Sequence, residues 1–263
     1  MYNDWFSIGP VSIHGYGVCI AVGLLAALFL ATRRGRKRGM DEDVIYGIVL
    51  SATFFGFLGA KIMYCIVEWK TFIQDPISIF SSSGFVVYGG LTGGVLAIFI
   101  YTKIKKVDQI KYLEVCIPSV SVGQAFGRLG CFFAGCCYGK ETDSIIGITF
   151  HNSLYAPNDV KLMPTQLISS AGNLLIAIIL ILVAAKVSKK GIILGLYLTL
   201  YSIGRFLVEM LRNDNRGSVG RLSTSQFYGI FVLIIGVCIL IFAATRKEKP
   251  ATEEAESEKN EEI

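Results

Sequence analysis

Seven apolar segments, each about 20 residues long, restrict what this sequence can fold into. A helix of about 20 residues spans the ~30 Å hydrocarbon core of a bilayer. Only 17% of the 263 residues are charged and 53% are hydrophobic, whereas soluble domains carry about 25% charged residues. The sequence therefore predicts an all-α integral membrane protein with seven transmembrane helices. The predicted spans are residues 11–31, 44–67, 85–102, 112–133, 166–185, 191–211 and 225–244.

The connections between these spans alternate in charge. Five Lys/Arg follow the first span, four follow the third and three follow the fifth, whereas the second connection has only Lys70. By the positive-inside rule, the N-terminus is expected outside and the C-terminus in the cytoplasm. The net charge of +5 arises in these loops, so we expect no nucleic-acid partner. Residues 1–246 are expected to form one transmembrane domain, and the acidic residues 247–263 a disordered cytoplasmic tail.

Glycines, cysteines and one arginine are concentrated in QAFGRLGCFFAGCCYGK at the end of the fourth span. Glycine allows sharp turns and the close approach of a ligand. The planar donors of Arg128 suit a phosphate or carboxylate, although a re-entrant turn with a snorkelling arginine is the alternative. Cys131, Cys136 and Cys137 could be metal ligands or form a disulfide. Because no further C-x-x-C or histidine cluster has zinc-like spacing, neither a metal nor an organic cofactor is expected.

The sixth span carries charged residues at helical spacing. Tyr201, Arg205, Glu209 and Arg212 are spaced four, four and three residues apart, which places them on one helical face. One interpretation is a self-satisfied Arg–Glu pair near the interface. The other is that Glu209 holds the arginines in place while one of them faces a phosphate.

Further polar residues fall near the predicted outer ends of the spans. His14 and Tyr16 open the first span, where an interfacial aromatic belt is the alternative. Glycines around Tyr88 at the start of the third span are typical of close helix packing, and Gln166 opens the fifth span. Because all these features share one side, we expect a site toward the outer leaflet.

The segment GRLGCFFAGCCYG resembles the signature of bacterial prolipoprotein diacylglyceryl transferases, roughly G-R-[IL]-G-N-F-x-N-[GA]-x-x-x-G. HGYG, GAK, GFVVYGGLTGG, PTQL and YSIGRFLVEMLR match the family in order and spacing, so the resemblance covers nearly the whole chain. It implies seven spans in the bacterial cytoplasmic (inner) membrane. It also implies transfer of diacylglyceryl from phosphatidylglycerol to the lipobox cysteine of a prolipoprotein signal peptide. A thioether forms and glycerol 1-phosphate is released, without a cofactor.

The resemblance and the polar residues together predict the members of the site. Arg128 and Arg205 are expected to contact the phosphatidylglycerol headgroup. Catalytic roles are predicted for Arg128, Arg205, Tyr88 and Tyr16. Substrate-binding roles are predicted for Arg128, Gly139, Tyr201, Glu209, Arg212, Gln166 and His14.

The sequence departs from the family pattern at five positions. Tyr88 stands where the family's third-span motif has histidine. Cys131 and Ala134 replace the two asparagines of the signature, and Ile168 and Ser169 replace the Tyr and Glu of P-[ST]-Q-L-Y-E. These changes leave two alternatives to the transferase: a divergent or inactive relative that binds phospholipid with a different acceptor, and a membrane transporter or channel.

Because Tyr88 stands in place of the histidine, the sequence does not identify the residue that acts as general base. A tyrosine with a pKa near 10 is a poor base at neutral pH. His14 or His151, the only histidines in the sequence, could take that role. We favour a third interpretation, in which the positive field of the arginines lowers the pKa of the substrate thiol.

Overall fold

The computed structural model describes residues 4–8, 11–82, 84–213, 218–220 and 222–246. The predicted acidic tail, residues 247–263, lies outside this part. The elements in chain order are β1 Asp4–Ile8, β2 Val11–His14, α1 Gly15–Lys37, α2 Glu42–Val67, α3 Trp69–Gln74, α4 Pro76–Ser81, α5 Val87–Ile104, α6 Gln109–Ala134, β3 Ile148–Thr149, β4 Lys161–Leu162, α7 Thr165–Lys186, α8 Ile192–Met210, β5 Ser218–Val219, β6 Leu222–Ser223 and α9 Thr224–Thr245.

Six of these helices are long and apolar enough to cross a membrane: α1, α2, α5, α7, α8 and α9. The expectation of a helical, multi-pass membrane protein is therefore confirmed. The predicted fourth span, residues 112–133, lies within α6, which has 26 residues. This helix is at least as long as each of the six but carries Lys111, Glu114 and Arg128, and it is not among them.

The predicted start of the first span was wrong. Val11–His14 belongs not to the first helix but to β2, which pairs antiparallel with β1, and α1 begins only at Gly15. Hydropathy cannot separate a short apolar strand from a helix. In the second connection the structure has two short helices, α3 and α4. The Asp75 side chain accepts a 3.1 Å hydrogen bond from Ser78 N at the start of α4, and Pro76 occupies the first turn.

The chain divides into two compact units, Gly17–Gly127 and Met1–Tyr16 with Arg128–Ile263. In the first, α2 and α5 pack through glycines. A β-carbon on Gly90 would lie 3.1 Å from the carbonyl oxygen of Gly56, and one on Gly59 would lie 3.2 Å from Cα of Gly93. The predicted role of the third-span glycines in close helix packing is thus confirmed.

Lys61 of α2 is buried and fixes the segment before α5. Its Nζ donates to the carbonyl oxygen of Ser82 at 2.8 Å and lies 5.0 Å from the ring centroid of Phe85. A buried ammonium is costly unless such groups surround it. The lysine of the GAK motif therefore has a structural role in this unit.

In the second unit, α7 packs on α8 and α8 on α9. The connection between α6 and α7 has its own small core, formed by Phe150, Ala156 and Leu162 with Phe132 and Tyr138 packed against it. β3 and β4 pair antiparallel inside it, with Ile148 opposite Leu162. This core gives the long connection a fixed shape beside the end of α6.

Candidate functional site

One carboxylate and two arginines meet at the end of α8. Arg205 and Glu209 share the predicted face of this helix, whereas Arg212, predicted on the same face, follows the helix, which ends at Met210. Arg205 Nη1 lies 2.5 Å from Glu209 Oε2, and Arg212 Nε lies 4.0 Å from the same oxygen. All three side chains are largely shielded from bulk solvent: 13% of the Arg205 side chain is exposed, 7% of Glu209 and 4% of Arg212. Arg205 Nη2 also donates to Ser225 Oγ of α9 at 2.9 Å. Ser225, which the sequence did not single out, thus fixes the guanidinium.

Arg128 of α6 lies close to this cluster. It interacts electrostatically with Tyr201 and Arg212. In the part of the chain that the structure describes, no carboxylate pairs with its guanidinium. Among the described residues, the two ion pairs given above thus join arginines to a single carboxylate, Glu209. A guanidinium without a carboxylate partner, as at Arg128, is suited to an anion.

Arg128 and Arg205 line a cavity of about 60 Å³. Its walls include Arg128 from α6, Ile168, Ser169 and Asn173 from α7, and Tyr201, Gly204 and Arg205 from α8. Two of the family departures, Ile168 and Ser169, therefore lie in the cavity wall. The cavity wall thus combines guanidinium groups with aliphatic ones.

Ser169 and Asn173 were not predicted as site residues. Asn173 Nδ2 donates to the carbonyl oxygen of Ser169 at 2.8 Å, and its buried Oδ1 has no partner among the described residues. The signal was present in the sequence, because Thr165, Ser169 and Asn173 are spaced four residues apart and share one face of α7.

Gln166 holds the turn that follows α6. Its Nε2 donates to the carbonyl oxygen of Cys136 at 2.7 Å, while Thr165 Oγ1 donates to that of Cys137 at 2.6 Å. Gln166 is 1% exposed. The structure places it under the turn, so a direct contact with substrate stays a prediction.

Gly139 joins two distant segments through its backbone. Its N–H donates to the carbonyl oxygen of Met163 at 3.0 Å, and the next N–H, of Lys140, donates to that of Leu211 at 2.8 Å. Gly139 also forms a β-bridge with Arg212. A β-carbon on Gly139 would lie 2.7 Å from Met163 O and 2.8 Å from Leu211 O. Glycine is needed here so that the turn can hold Arg212 in the cluster.

The three signature cysteines come together. The Sγ atoms of Cys131, Cys136 and Cys137 all lie within 4.8 Å of one another, and none of the three forms a disulfide within the described part of the chain. The turn between them uses left-handed backbone, with φ of +73° at Gly135 and +63° at Cys137. Hydrogen bonding with Cys131 and Cys137, together with burial, raises the pKa of the Cys136 thiol. Arg128 interacts electrostatically with Cys131 and Cys137.

The remaining predicted residues are distributed over both units. Tyr16, in the first turn of α1, interacts electrostatically with the three thiols and with Arg128. His14 is exposed at the end of β2. Tyr88 belongs to the Gly17–Gly127 unit, where it is 44% exposed in the first turn of α5. His151 Nδ1 lies 2.7 Å from Asp159 Oδ1 in the connection between α6 and α7. The structure therefore groups Tyr16, Arg128, Tyr201, Arg205, Glu209 and Arg212.

A sequence model of the family described as prolipoprotein diacylglyceryl transferase matches residues 3–242. The chain belongs to this family. The assignment expected from GRLGCFFAGCCYG and its companion motifs is confirmed.

Proteins named phosphatidylglycerol–prolipoprotein diacylglyceryl transferase are similar over most of their length. One from Clostridium tetani is 43% identical over 92% of this chain and 98% of its own length. One from Clostridium perfringens, whose name carries the number 2, is 44% identical over 87% of this chain and 90% of its own length. One from Streptococcus equi subsp. zooepidemicus is 32% identical over 92% of this chain and 95% of its own length. The chain therefore covers between 90% and 98% of the length of these relatives.

Proposed function

We propose that this protein transfers the diacylglyceryl group of phosphatidylglycerol to the lipobox cysteine of prolipoprotein signal peptides. The observation that carries the proposal is the Arg128 guanidinium, which lines the cavity with Arg205 and Tyr201 and has no carboxylate partner in the described residues. Its planar donors fit a phosphodiester. The names of the relatives supply the lipid and the protein substrate.

The arginines would stabilise charge that grows on the phosphate. The substrate thiolate attacks the diacylglycerol carbon that carries the phosphate. A carbon–sulfur bond forms, the carbon–oxygen bond breaks, and its electron pair leaves with glycerol 1-phosphate. The phosphate moves from one negative charge toward two, so positioned guanidinium donors bind the transition state more tightly than the ground state. Arg128 and Arg205 would carry this role, with Glu209 and Arg212 as support and Tyr201 and Tyr16 beside them.

The nucleophile belongs to the substrate, and it must lose a proton. A free cysteine has a pKa near 8.5, and the excess positive charge around Arg128 favours its thiolate. Tyr88 would then orient a substrate by hydrogen bonding. We expect Tyr88→Phe to keep most of the rate; a complete loss would instead assign Tyr88 a direct part in proton transfer or orientation.

We also propose the membrane arrangement that this chemistry needs. α6 would be the seventh crossing, with the N-terminus outside and the C-terminus in the cytoplasm of a bacterial cell. The supporting observation is the basic character of the loops after α1, α5 and α7. Residues 1–246 would act as one transferase domain, and phosphatidylglycerol would enter from the outer leaflet of the cytoplasmic membrane.

The deciding experiment uses the purified protein in phosphatidylglycerol vesicles with a peptide that contains a lipobox cysteine. The peptide should gain the mass of one diacylglyceryl group, and a peptide with serine in place of cysteine should gain none. Arg128→Ala should lower the rate by at least about 10²-fold, the effect of removing a preorganised donor. Arg33→Ala is the matched control, since Arg33 is an exposed arginine in the last turns of α1.

Two outcomes would argue against the proposal. One is that folded wild-type protein modifies no peptide with any anionic lipid, which would favour a divergent relative with another acceptor. The other is solute flux through the vesicles without peptide modification, which would favour a channel or transporter.

A further inference from the structure

The three-cysteine cluster at the end of α6 has no part in the phosphate chemistry described above. The Sγ atoms of Cys131, Cys136 and Cys137 lie within 4.8 Å of one another, although Cys131 lies in the last turn of α6 and the other two follow the helix. Three thiolates bound to one Zn²⁺ at 2.3 Å in tetrahedral geometry lie about 3.8 Å apart. The cluster therefore needs only small side-chain rotations to surround such an ion.

The backbone around the cluster is fixed from several sides. Cys136 N–H donates to the carbonyl oxygen of Cys131 at 3.1 Å. Gln166 and Thr165 hold the carbonyl oxygens of Cys136 and Cys137 from the start of α7. Cys137 itself adopts a φ of +63°, a conformation that is unfavourable for a residue with a β-carbon. Such strain persists where the surrounding structure requires it, and is common at functional sites.

We propose that Cys131, Cys136 and Cys137 bind one Zn²⁺ and leave its fourth position for the thiol of the substrate cysteine. Three protein ligands with one open position are typical of catalytic zinc, and thiolates select soft or borderline ions. The sequence predicted no metal, because C-x4-C-C lacks the second pair of ligands that zinc motifs have. The role of the fourth position rests on the transferase function proposed above.

The position of the cluster fits this role. Cys131 follows Arg128 by three residues, so both project from the same face of α6. Arg128 interacts electrostatically with Cys131 and Cys137, and Tyr16 interacts with all three thiols. A thiol bound at the open position would thus lie beside the arginine that is proposed to hold the phosphate.

Zinc would supply the activation that Tyr88 cannot. A thiol that coordinates Zn²⁺ is deprotonated, and its proton passes to water. The bound sulfur then attacks the diacylglycerol carbon, a carbon–sulfur bond forms, and the electron pair of the carbon–oxygen bond leaves with the phosphate. The zinc ion keeps its oxidation state throughout, and no oxidant or reductant is required.

The first test measures metal in the purified full-length protein. Wild-type protein prepared with Zn²⁺ should retain about one ion per chain, the stoichiometry of a single zinc site. Cys131→Ser, Cys136→Ser or Cys137→Ser should each lower the affinity for Zn²⁺ by more than about tenfold, since even changes outside the ligand set cost that much. Cys238→Ser is the matched control, because Cys238 is an exposed free thiol on α9. Wild-type protein loaded with Co²⁺ should show thiolate-to-cobalt absorption, which does not depend on the folding of any variant.

The second test adds the lipobox peptide to the cobalt-loaded protein. The absorption should change with the cysteine peptide and not with its serine counterpart. The zinc site would be overturned if metal-free wild-type protein bound neither Zn²⁺ nor Co²⁺. It would also be overturned if the thiols formed a disulfide and bound no metal after that disulfide was reduced. Transfer that continues at full rate after the zinc is stripped would overturn its role and leave the transferase intact. Bound zinc without any transfer would support the site and count against the transferase.

Discussion

Glu209 Oε2 lies 2.5 Å from Arg205 Nη1 on the buried face of α8, one helical turn away. The same oxygen lies 4.0 Å from Arg212 Nε, so one carboxylate balances part of the charge of two arginines. The ion pair of the first interpretation is therefore formed. The contact of one arginine with a phosphate, which the second interpretation adds, stays a prediction.

Glu209→Gln should destabilise the protein and also lower the rate of the transfer reaction. The amide keeps the shape of the side chain but leaves the Arg205 charge buried without compensation, which costs about 3 kcal/mol. Unfolding followed in detergent by temperature or denaturant would measure the loss. Ser225→Ala, which removes only the hydrogen bond to Arg205 Nη2, should cost about 1 kcal/mol. Equal stability of Glu209→Gln and wild type would show that the pair contributes nothing to the fold.

Arg128→Lys separates charge from geometry at the proposed phosphate site. Lysine keeps the positive charge but loses the planar fork. One charge-assisted hydrogen bond contributes about 1.5 kcal/mol, so kcat/KM for phosphatidylglycerol should fall about tenfold, less than for Arg128→Ala. The lipid-transfer assay measures both, with Arg33→Lys as control. If lysine restored the full rate, Arg128 would act as a point charge and not as a bidentate ligand.

Local patterns in the sequence were sufficient to predict much of the fold. Hydropathy located the helices because each apolar segment of about 20 residues is by itself long enough to cross a bilayer. The spacing of Arg205 and Glu209 was sufficient to predict that they meet, because both residues lie on one helix. The close packing of α2 and α5 was likewise predicted from the density of glycines in the third span.

Contacts between distant segments could not be predicted in this way. The Gly139 bridge to Arg212 and the hydrogen bond from Gln166 to the turn join residues that no periodicity connects. The meeting of Cys131 with Cys136 and Cys137 depends on left-handed backbone in a non-glycine residue, for which composition gives no signal. Short strands such as β2 were missed because a few apolar residues suit a strand and a helix equally.

Gly139→Ala should disturb both stability and the arginine cluster. The added carbon would meet the carbonyl oxygens of Met163 and Leu211, and backbone atoms cannot move aside as a flexible side chain can. Overpacking of this kind costs about 2 kcal/mol, and displacement of Arg212 should lower activity further. Gly229→Ala in α9 is the control, because no heavy atom outside its own helix and within the described residues lies within 4 Å of its β-carbon position. That variant should gain up to about 1 kcal/mol. Similar unfolding curves for the two variants would contradict the account of Gly139.

Gly204→Leu tests whether the cavity between Arg128 and Arg205 admits the lipid headgroup. Gly204 lines this cavity, and the position of its β-carbon is open, with no heavy atom of the described part within 4 Å apart from its own helix. Leucine should therefore enter the cavity without displacing backbone, and it should favour the helix by up to about 1 kcal/mol. KM for phosphatidylglycerol should rise by about tenfold or more, the scale on which single methylene groups change binding in a tight pocket. Unfolding temperature should not fall.

Gly229→Leu supplies the same helix-favouring change away from the cavity, and it should leave KM unaltered. An increase in KM confined to Gly204→Leu would place the headgroup in the cavity, because stability and helix propensity change alike in both variants. An unchanged KM in Gly204→Leu, with the leucine variant folded, would mean that the phosphate reaches Arg128 from another direction.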